Sequence, residues 1–234
     1  MKKAVIIGAT SGIGKELALL LAKKGYCIGI TGRRQKLLES VKSENPDAFE
    51  IMPMDITDIP ALQEKLELLV RKLGGLDLLI ISSGTGELNP DLNFEPEQRT
   101  INTNVSGFTY IADWAFHYFM KQHSGHLVGI SSLAGLLSSE IAPAYNASKA
   151  YQINYMSGLR QKARKLKSGI LVTDIRPGFV DTAMAKGEGQ FWVAPTEKAA
   201  KQIYTAITKK RKVAYITKRW GWIALLLKIG RFGY

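Results

Sequence analysis

The chain has a single cysteine, Cys27, in 234 residues, so an internal disulfide is excluded and a reducing, cytoplasmic setting is expected. It has no stretch approaching the roughly 18 apolar residues of a membrane-spanning helix. The opening Met1-Lys2-Lys3 leads through four apolar residues into Gly8, which does not read as a signal peptide. There are three histidines, His117, His123 and His126, with no cysteine or carboxylate at ligand spacing, so no metal site is expected. Repeats and low-complexity segments are missing. Acidic residues are missing from 209–234, where Lys209, Lys210, Arg211, Lys212, Lys218, Arg219, Lys228 and Arg231 supply +8 of the formal +12. A basic chain invites a nucleic-acid reading, but this excess sits apart from the motifs described next, and no nucleic-acid partner is expected. What remains is an ordinary globular composition, 46% hydrophobic and 22% charged, long enough for one sizeable core over residues 1–234.

Short apolar runs alternate with helical periodicity. Strands are predicted at residues 4–7, 27–31, 50–54, 76–81, 127–130, 170–175 and 213–217. Helices are predicted at 15–24, 36–43, 59–73, 97–122, 144–166 and 195–208, with Thr196 as the N-cap of the last and a polar loop at 85–97. Near-continuous apolar strands separated by helices predict an α/β fold, a doubly wound parallel sheet of the Rossmann type. Ligands then bind beyond the C-terminal strand ends, where Gly12, Arg33, Asp55 and Ser83 are expected to converge.

Between the first strand and helix lies Gly8-Ala9-Thr10-Ser11-Gly12-Ile13-Gly14. Glycines there let the backbone turn tightly and approach a pyrophosphate, and the helix N-terminus offers free N–H groups. After the second strand an acid would accept hydrogen bonds from a ribose 2′-hydroxyl, whereas an arginine suits a 2′-phosphate. Here Arg33 and Arg34 stand at that point, which favours NADP(H) over NAD(H). Tyr145 and Lys149 are four residues apart, hence on one helical face. An ammonium beside a phenol favours the phenolate and makes tyrosine a usable general acid/base.

Gly8-x-x-x-Gly12-x-Gly14, Asp55, Asn104, Ser132, Tyr145-x-x-x-Lys149 and Pro177-Gly178 with Thr182, taken in this order over residues 4–182, resemble the short-chain dehydrogenase/reductase family. The resemblance implies an oxidoreductase that moves a hydride between a nicotinamide and a carbonyl or secondary alcohol. It implies that Tyr145 is the general acid, that Lys149 lowers the Tyr145 pKa and holds the nicotinamide ribose, and that Ser132 rather than Ser131 holds the substrate oxygen. Asn104 would hold a water linking Lys149 to solvent. Gly8, Thr10, Ser11, Gly12, Ile13 and Gly14 would cradle the phosphates, and Asp55 and Ile56 would flank the adenine. Ser83 and Gly84, with Pro177, Gly178, Val180 and Thr182, would line the nicotinamide side. Where the family usually shows Asn-Asn-Ala-Gly after the fourth strand, this chain has Ser82-Ser83-Gly84-Thr85. That departure is compatible with an alternative, a cofactor-binding regulator or membrane-surface protein with little turnover.

On the substrate side, residues 183–194 hold Gly187, Gly189, Phe191 and Trp192, a loop able to move and to close over an apolar substrate. The helices 97–122 and 144–166 are the pair this family commonly uses for dimers and tetramers, so a homodimer or homotetramer is expected. The basic extension 209–234 ends in an apolar segment from Trp220 to Ile229. It has three readings: packing on a partner subunit or over the cleft, peripheral contact with a membrane interface, or disorder.

Overall fold

The computed structural model describes residues 1–183 and 191–230. Seven strands form one parallel sheet: β1 (Lys3–Ile7), β2 (Cys27–Gly32), β3 (Phe49–Pro53), β4 (Leu78–Ile81), β5 (Gly125–Ile130), β6 (Ile170–Pro177) and β7 (Val213–Ile216). Their order is β3-β2-β1-β4-β5-β6-β7. The sequence explains why the sheet is central. Ala4 and Ile6 of β1 enter one apolar cluster with Leu17, Leu21, Leu38 and Ile203. Val5 and Ile7 enter another with Leu62, Leu66, Phe108 and Met156. Alternate residues of one strand thus face opposite layers, the two-residue period of a strand buried on both sides. The first cluster is covered by α1 (Gly12–Lys23), α2 (Gln35–Ser43) and α7 (Thr196–Thr208), and the second by α3 (Ile59–Leu73), α5 (Phe108–Lys121) and α6 (Pro143–Lys165). Each fully buried Leu or Ile stabilises this arrangement by roughly 1.5–3 kcal/mol.

From β1 the chain steps outward to β2 and β3, then returns to lay β4 on the other flank of β1. The connections after β1 and β4 therefore diverge, leaving a crevice at their C-terminal ends.

Three predictions need correcting. The helix expected over 97–122 begins earlier and is interrupted: α4 (Phe94–Ile101) passes through a π-helical turn, Asn102–Gly107, into α5. Within this turn the Asn104 carbonyl accepts a hydrogen bond from Gln152 Nε2 at 2.9 Å. π turns inside α-helices are uncommon and concentrate at functional sites. The end of the expected loop 85–97 is already helical, with Glu95 and Glu97 in the first turn of α4, where acids are favoured by the helix dipole. Thr196 does not cap α7; Pro195 holds the extended cap position and Thr196 is the first helical residue. The extension after residue 209 is built, as far as Gly230, from β7 and α8 (Trp220–Gly230), so disorder is not its state there. Among the described residues no helix is long and apolar enough to cross a membrane.

Candidate active site

The site grows out of the crevice between β1 and β4. Gly8 turns the chain with φ +88°, and Gly8 and Ala9 both donate backbone hydrogen bonds to Thr31 O, at 3.1 and 2.9 Å. A side chain at Gly8 would stand 2.7 Å from the Ser83 backbone, and one at Gly14 would stand 2.0 Å from Gly8 O. The glycines are thus what allow β1, β4 and α1 to meet. Gly12, at φ +57°, opens α1 and faces the Thr182 methyl, 3.2 Å from where a Cβ would lie. Ser11 is the N-cap but its side chain caps nothing, so the first N–H groups of α1, including that of Ile13, lack a side-chain acceptor. Thr10 and Ser11 instead accept hydrogen bonds from Arg34 Nη2, at 2.7 and 3.0 Å. Arg34 lies over the turn, while Arg33 is exposed and unpaired among the described residues. Gly32 makes room for this, because a Cβ there would meet the Thr10 methyl at 2.6 Å.

Along the sheet edge, Asp55 closes a local turn by accepting from Thr57 N and Oγ1, both at 2.9 Å. Ile56 is buried, and its carbonyl would stand 2.4 Å from a Cβ at Gly107 in the π turn. Ser83 and Gly84 follow β4. A Cβ at Gly84 would lie 3.3 Å from Asn104 Oδ1 and 3.4 Å from Lys149 Nζ, and one at Gly86 would lie 2.4 Å from the Tyr145 ring. The Asn104 amide pins this segment through Thr85, accepting from its N at 2.9 Å and donating to its O at 2.7 Å. Its Nδ2 also donates to Ser148 Oγ at 3.0 Å. The groups of Asn104, expected to hold a water, are therefore engaged by the protein itself.

On α6, Tyr145 and Lys149 share a face as the spacing predicts, with the ammonium 5.8 Å from the ring centroid. Burial pushes the Tyr145 phenol above its ordinary 10, and the Ser132 hydroxyl, hydrogen-bonded to it, works the other way. In this arrangement the group that opposes the effect of burial is Ser132. The ammonium is itself perturbed. Lys149 is 4% exposed and its pKa is brought down to about 8, chiefly by burial, with Asp174 acting against the shift. Ser132 stands at the end of β5, caps a short 3₁₀ turn, Leu133–Leu136, and accepts from Ala134 N at 3.1 Å. Its neighbour Ser131 is buried and spends its proton on Asp174 Oδ1 at 2.5 Å, which leaves Ser132 as the serine facing Tyr145.

The crevice closes on the β6 side. Gly178 follows Pro177 and packs flat on Trp220; a Cβ would lie 2.3 Å from the indole. Val180 bridges Ala194, and Phe179, Phe191, Trp192 and Trp220 form one aromatic cluster with centroid separations of 5.2 to 5.9 Å. Of the loop expected at 183–194, residues 184–190, including Gly187 and Gly189, lie outside the described residues. Two buried polar atoms on the walls, Ser83 Oγ and Trp220 Nε1, have no hydrogen-bond partner among the described residues. Such atoms cost about 1–3 kcal/mol each unless water or a ligand satisfies them. With the uncapped helix end and the glycine cradle, they fit a bound nucleotide.

Some participants carry no sequence motif. Glu97 accepts from Ala144 N at 2.9 Å and from Asn89 Nδ2 at 2.6 Å, and so fixes the start of the helix bearing Tyr145. Trp220 comes from the far end of the chain. Gln152 bonds Lys149 Nζ at 3.0 Å; its place three residues beyond Lys149, on the same helical face, was a readable signal.

The comparisons with known proteins agree with this geometry. The sequence profile of the short chain dehydrogenases matches residues 2–191. An uncharacterized oxidoreductase of Staphylococcus aureus (strain USA300) is 32% identical over 186 residues, covering 78% of this chain and 80% of that one. One from Myxococcus xanthus (strain DK1622) is 35% identical over 188 residues, covering 78% and 74%. Among solved structures, ElxO with NADP bound is 26% identical with TM-score 0.79, covering 92% of this chain and 97% of that one. A short-chain dehydrogenase from Sphingobium yanoikuyae in complex with NADPH has TM-score 0.84 over 100% of this chain and 96% of that one, at 21% identity, a likeness of fold. With a profile match over most of its length and these relatives, the chain belongs to the short-chain dehydrogenase/reductase family of oxidoreductases.

Proposed function

We propose that this chain is an NADP(H)-dependent oxidoreductase that interconverts a carbonyl compound and its secondary alcohol, with residues 1–234 as one nucleotide-binding domain. The observation that carries the reading is the placement of Ser132, Tyr145 and Lys149 at one end of an unbroken line of close approaches, Gly14–Gly8–Ser83 and Gly84–Lys149, whose other end is an uncapped helix N-terminus under Arg34.

Roles follow from the chemistry of each group. The backbone N–H groups of 12–14, with Thr10 and Ser11, would hold the diphosphate. Arg34, more than Arg33, would meet a 2′-phosphate, since it already lies on the turn. Asp55 and Ile56 would flank the adenine, and Ser83, Gly84, Pro177, Gly178, Val180 and Thr182 the nicotinamide side. The nicotinamide, when bound, supplies or accepts the hydride. Tyr145 would give its phenolic proton to the substrate oxygen, and Ser132 would donate a hydrogen bond to the charge developing there. Lys149, held cationic below about pH 8, would stabilise the phenolate left behind. Asn104 would keep the segment at Gly84 closed over this pair. The intact trio gives no ground to the alternative of a regulator with little turnover.

The substrate would be apolar. Phe179, Phe191 and Trp192 are each at least 36% exposed beside Gly178 and Thr182, a surface that would receive a hydrophobic body rather than a charged one. A homodimer or homotetramer through α5 and α6 belongs to the same reading. So does peripheral membrane contact through α8, whose Trp222 and Leu226 are exposed beyond Lys218 and Arg219.

The test is fluorescence titration of the folded protein with NADPH and NADH. Wild type is expected to bind NADPH at least tenfold more tightly than NADH. Arg34→Ala is expected to remove most of that preference, with a smaller loss for Arg33→Ala. Failure of folded protein to bind either nucleotide refutes the reading.

A further inference from the structure

Lys149 has three N–H donors and no acceptor. One reaches Ile130 O at 3.3 Å, and a second reaches Gln152 Oε1 at 3.0 Å. The other end of the same amide, Gln152 Nε2, donates to the main-chain O of Asn104 at 2.9 Å. The amide cannot be turned round: the ammonium only donates and the carbonyl only accepts, so the oxygen must face Lys149. Gln152 is 0% exposed, as is Asn104. The carbonyl it reaches lies in the π turn, where the regular α-helical ladder is interrupted.

We propose that Gln152 is a positioning residue for Lys149: its amide ties the ammonium to the Asn104 carbonyl and fixes it beneath Gly84 with one N–H left to face the site. This rests on the proposed function only for the use to which Lys149 is put. The Asn104 carbonyl, on the residue where the family resemblance implies a water, here accepts from a side chain. A water rotates, exchanges and passes protons; an amide at neutral pH does none of these. Lys149 is therefore held in one place by a group that does not itself titrate. Among the described residues the ionisable groups acting on it are Tyr145 on its own helix and Asp174 on β6, the latter paired with Arg176, and burial opposes its charge.

The test compares wild type with Gln152→Met, which keeps length without the amide, and the near-isosteric Gln152→Glu, which sets a carboxylate against the ammonium. The first readout needs neither cofactor nor substrate. It is the titration of the Lys149 side-chain carbon by NMR on lysine-labelled protein, assigned with Lys149→Arg. Gln152→Glu is expected to raise the midpoint by one pH unit or more, and Gln152→Met to lower it by half a unit or more. The second readout is kinetic: Gln152→Met is expected to lower kcat tenfold or more with KM for the carbonyl compound within about threefold, and each variant's pH profile is expected to shift with its midpoint. Midpoints within 0.2 unit of wild type in both variants overturn the proposal, whatever the Tm does. Loss of folding by both overturns it too, since Gln152 would then be a structural residue. A wild type that turns over no carbonyl compound counts against the proposed function and leaves the NMR result to decide this point alone.

Discussion

Two buried cations lie on adjoining elements of this protein and are treated in opposite ways. Arg176, on β6, is 6% exposed and donates through Nε to Asp174 Oδ2 at 2.6 Å; Asp174 is 0% exposed and its other oxygen accepts from Ser131. Arg176 also reaches Tyr215 OH at 3.2 Å. The charge is matched by a carboxylate in direct contact. Lys149, on α6, is equally buried, but its two partners are a carbonyl and an amide oxygen. Among the described residues its charge has no paired carboxylate, its pKa falls to about 8, and a third N–H remains. Among the described residues these three are the only buried charged side chains. The difference separates a charge that closes the structure from one that is held ready for something else.

The largest effect is expected from breaking the closed pair. Asp174→Asn removes the counter-charge and leaves a buried guanidinium, which typically costs about 3–5 kcal/mol. Urea denaturation should show a loss in that range, while the double change Asp174→Leu with Arg176→Leu should recover much of it. A double variant no more stable than Asp174→Asn would mean that the pair is not a self-contained unit.

The open cation should respond with the opposite sign. The pKa of Lys149 is about 8 in the folded chain against an ordinary 10.5. Below pH 8 both states carry the proton, and the folded state bears the whole penalty of a buried charge. Between pH 8 and 10.5 the folded state sheds the proton first, and the penalty fades as pH rises. Lys149→Met should therefore stabilise the protein at pH 7 by up to about 3 kcal/mol, less what Ile130 O and Gln152 lose as partners. By pH 10 less than about 1 kcal/mol of the gain should remain, and the tyrosines, which titrate near their ordinary 10 in the unfolded chain of both proteins, cancel in the comparison. The same variant should lose activity by about 10²–10⁴-fold if Lys149 serves Tyr145 in proton transfer. Thermal denaturation at pH 7 and pH 10 measures the first expectation; destabilisation at pH 7 would contradict it.

The same contrast marks what the sequence could and could not reveal. Doubly buried strands announce themselves by continuous apolar runs, so β1 and β4 were legible, as was the helix bearing Tyr145 and Lys149. The glycines were legible because only a residue without a Cβ survives 2.0–2.7 Å from another backbone. Relations between distant residues were not. That Arg34 rather than Arg33 lies on the Gly8–Gly14 turn depends on how β2 hands over to α2. That Glu97 sets the start of α6 joins residues 47 positions apart. The hydrogen bond from Gln152 into the π turn is invisible to periodicity because its two ends lie 48 positions apart. The effect of burial on Tyr145 was missed for the same reason, since spacing on a helix reports neighbours on that helix and not what covers them.

A third base, His126 on β5, tests whether burial alone sorts these outcomes, and its effect should be the smallest of the three. It has neither a carboxylate nor a ligand role. Thr173 Oγ1 gives its single proton to Arg211 O at 2.5 Å, so it can only accept from His126 Nε2, 2.8 Å away, which fixes the neutral tautomer. Burial is the main reason its pKa drops to about 4, with Lys210 and Lys2 adding to it. In the unfolded chain it titrates near its ordinary 6.5. Above 6.5 both states are neutral and the stability is fully present. As pH falls from 6.5 toward 4 the unfolded state takes up a proton that the folded state refuses, and stability is lost. At pH 5 the loss should be about 2 kcal/mol, at 1.36 kcal/mol per unit. Carboxylates also titrate there, so the quantity to measure is the difference between wild type and His126→Asn in urea midpoint at pH 7 and at pH 5. The variant should lose less on acidification, by about that amount. Parallel losses would mean that His126 accepts a proton in place, and that a buried base on this sheet can remain charged without either a paired carboxylate or an amide to hold it.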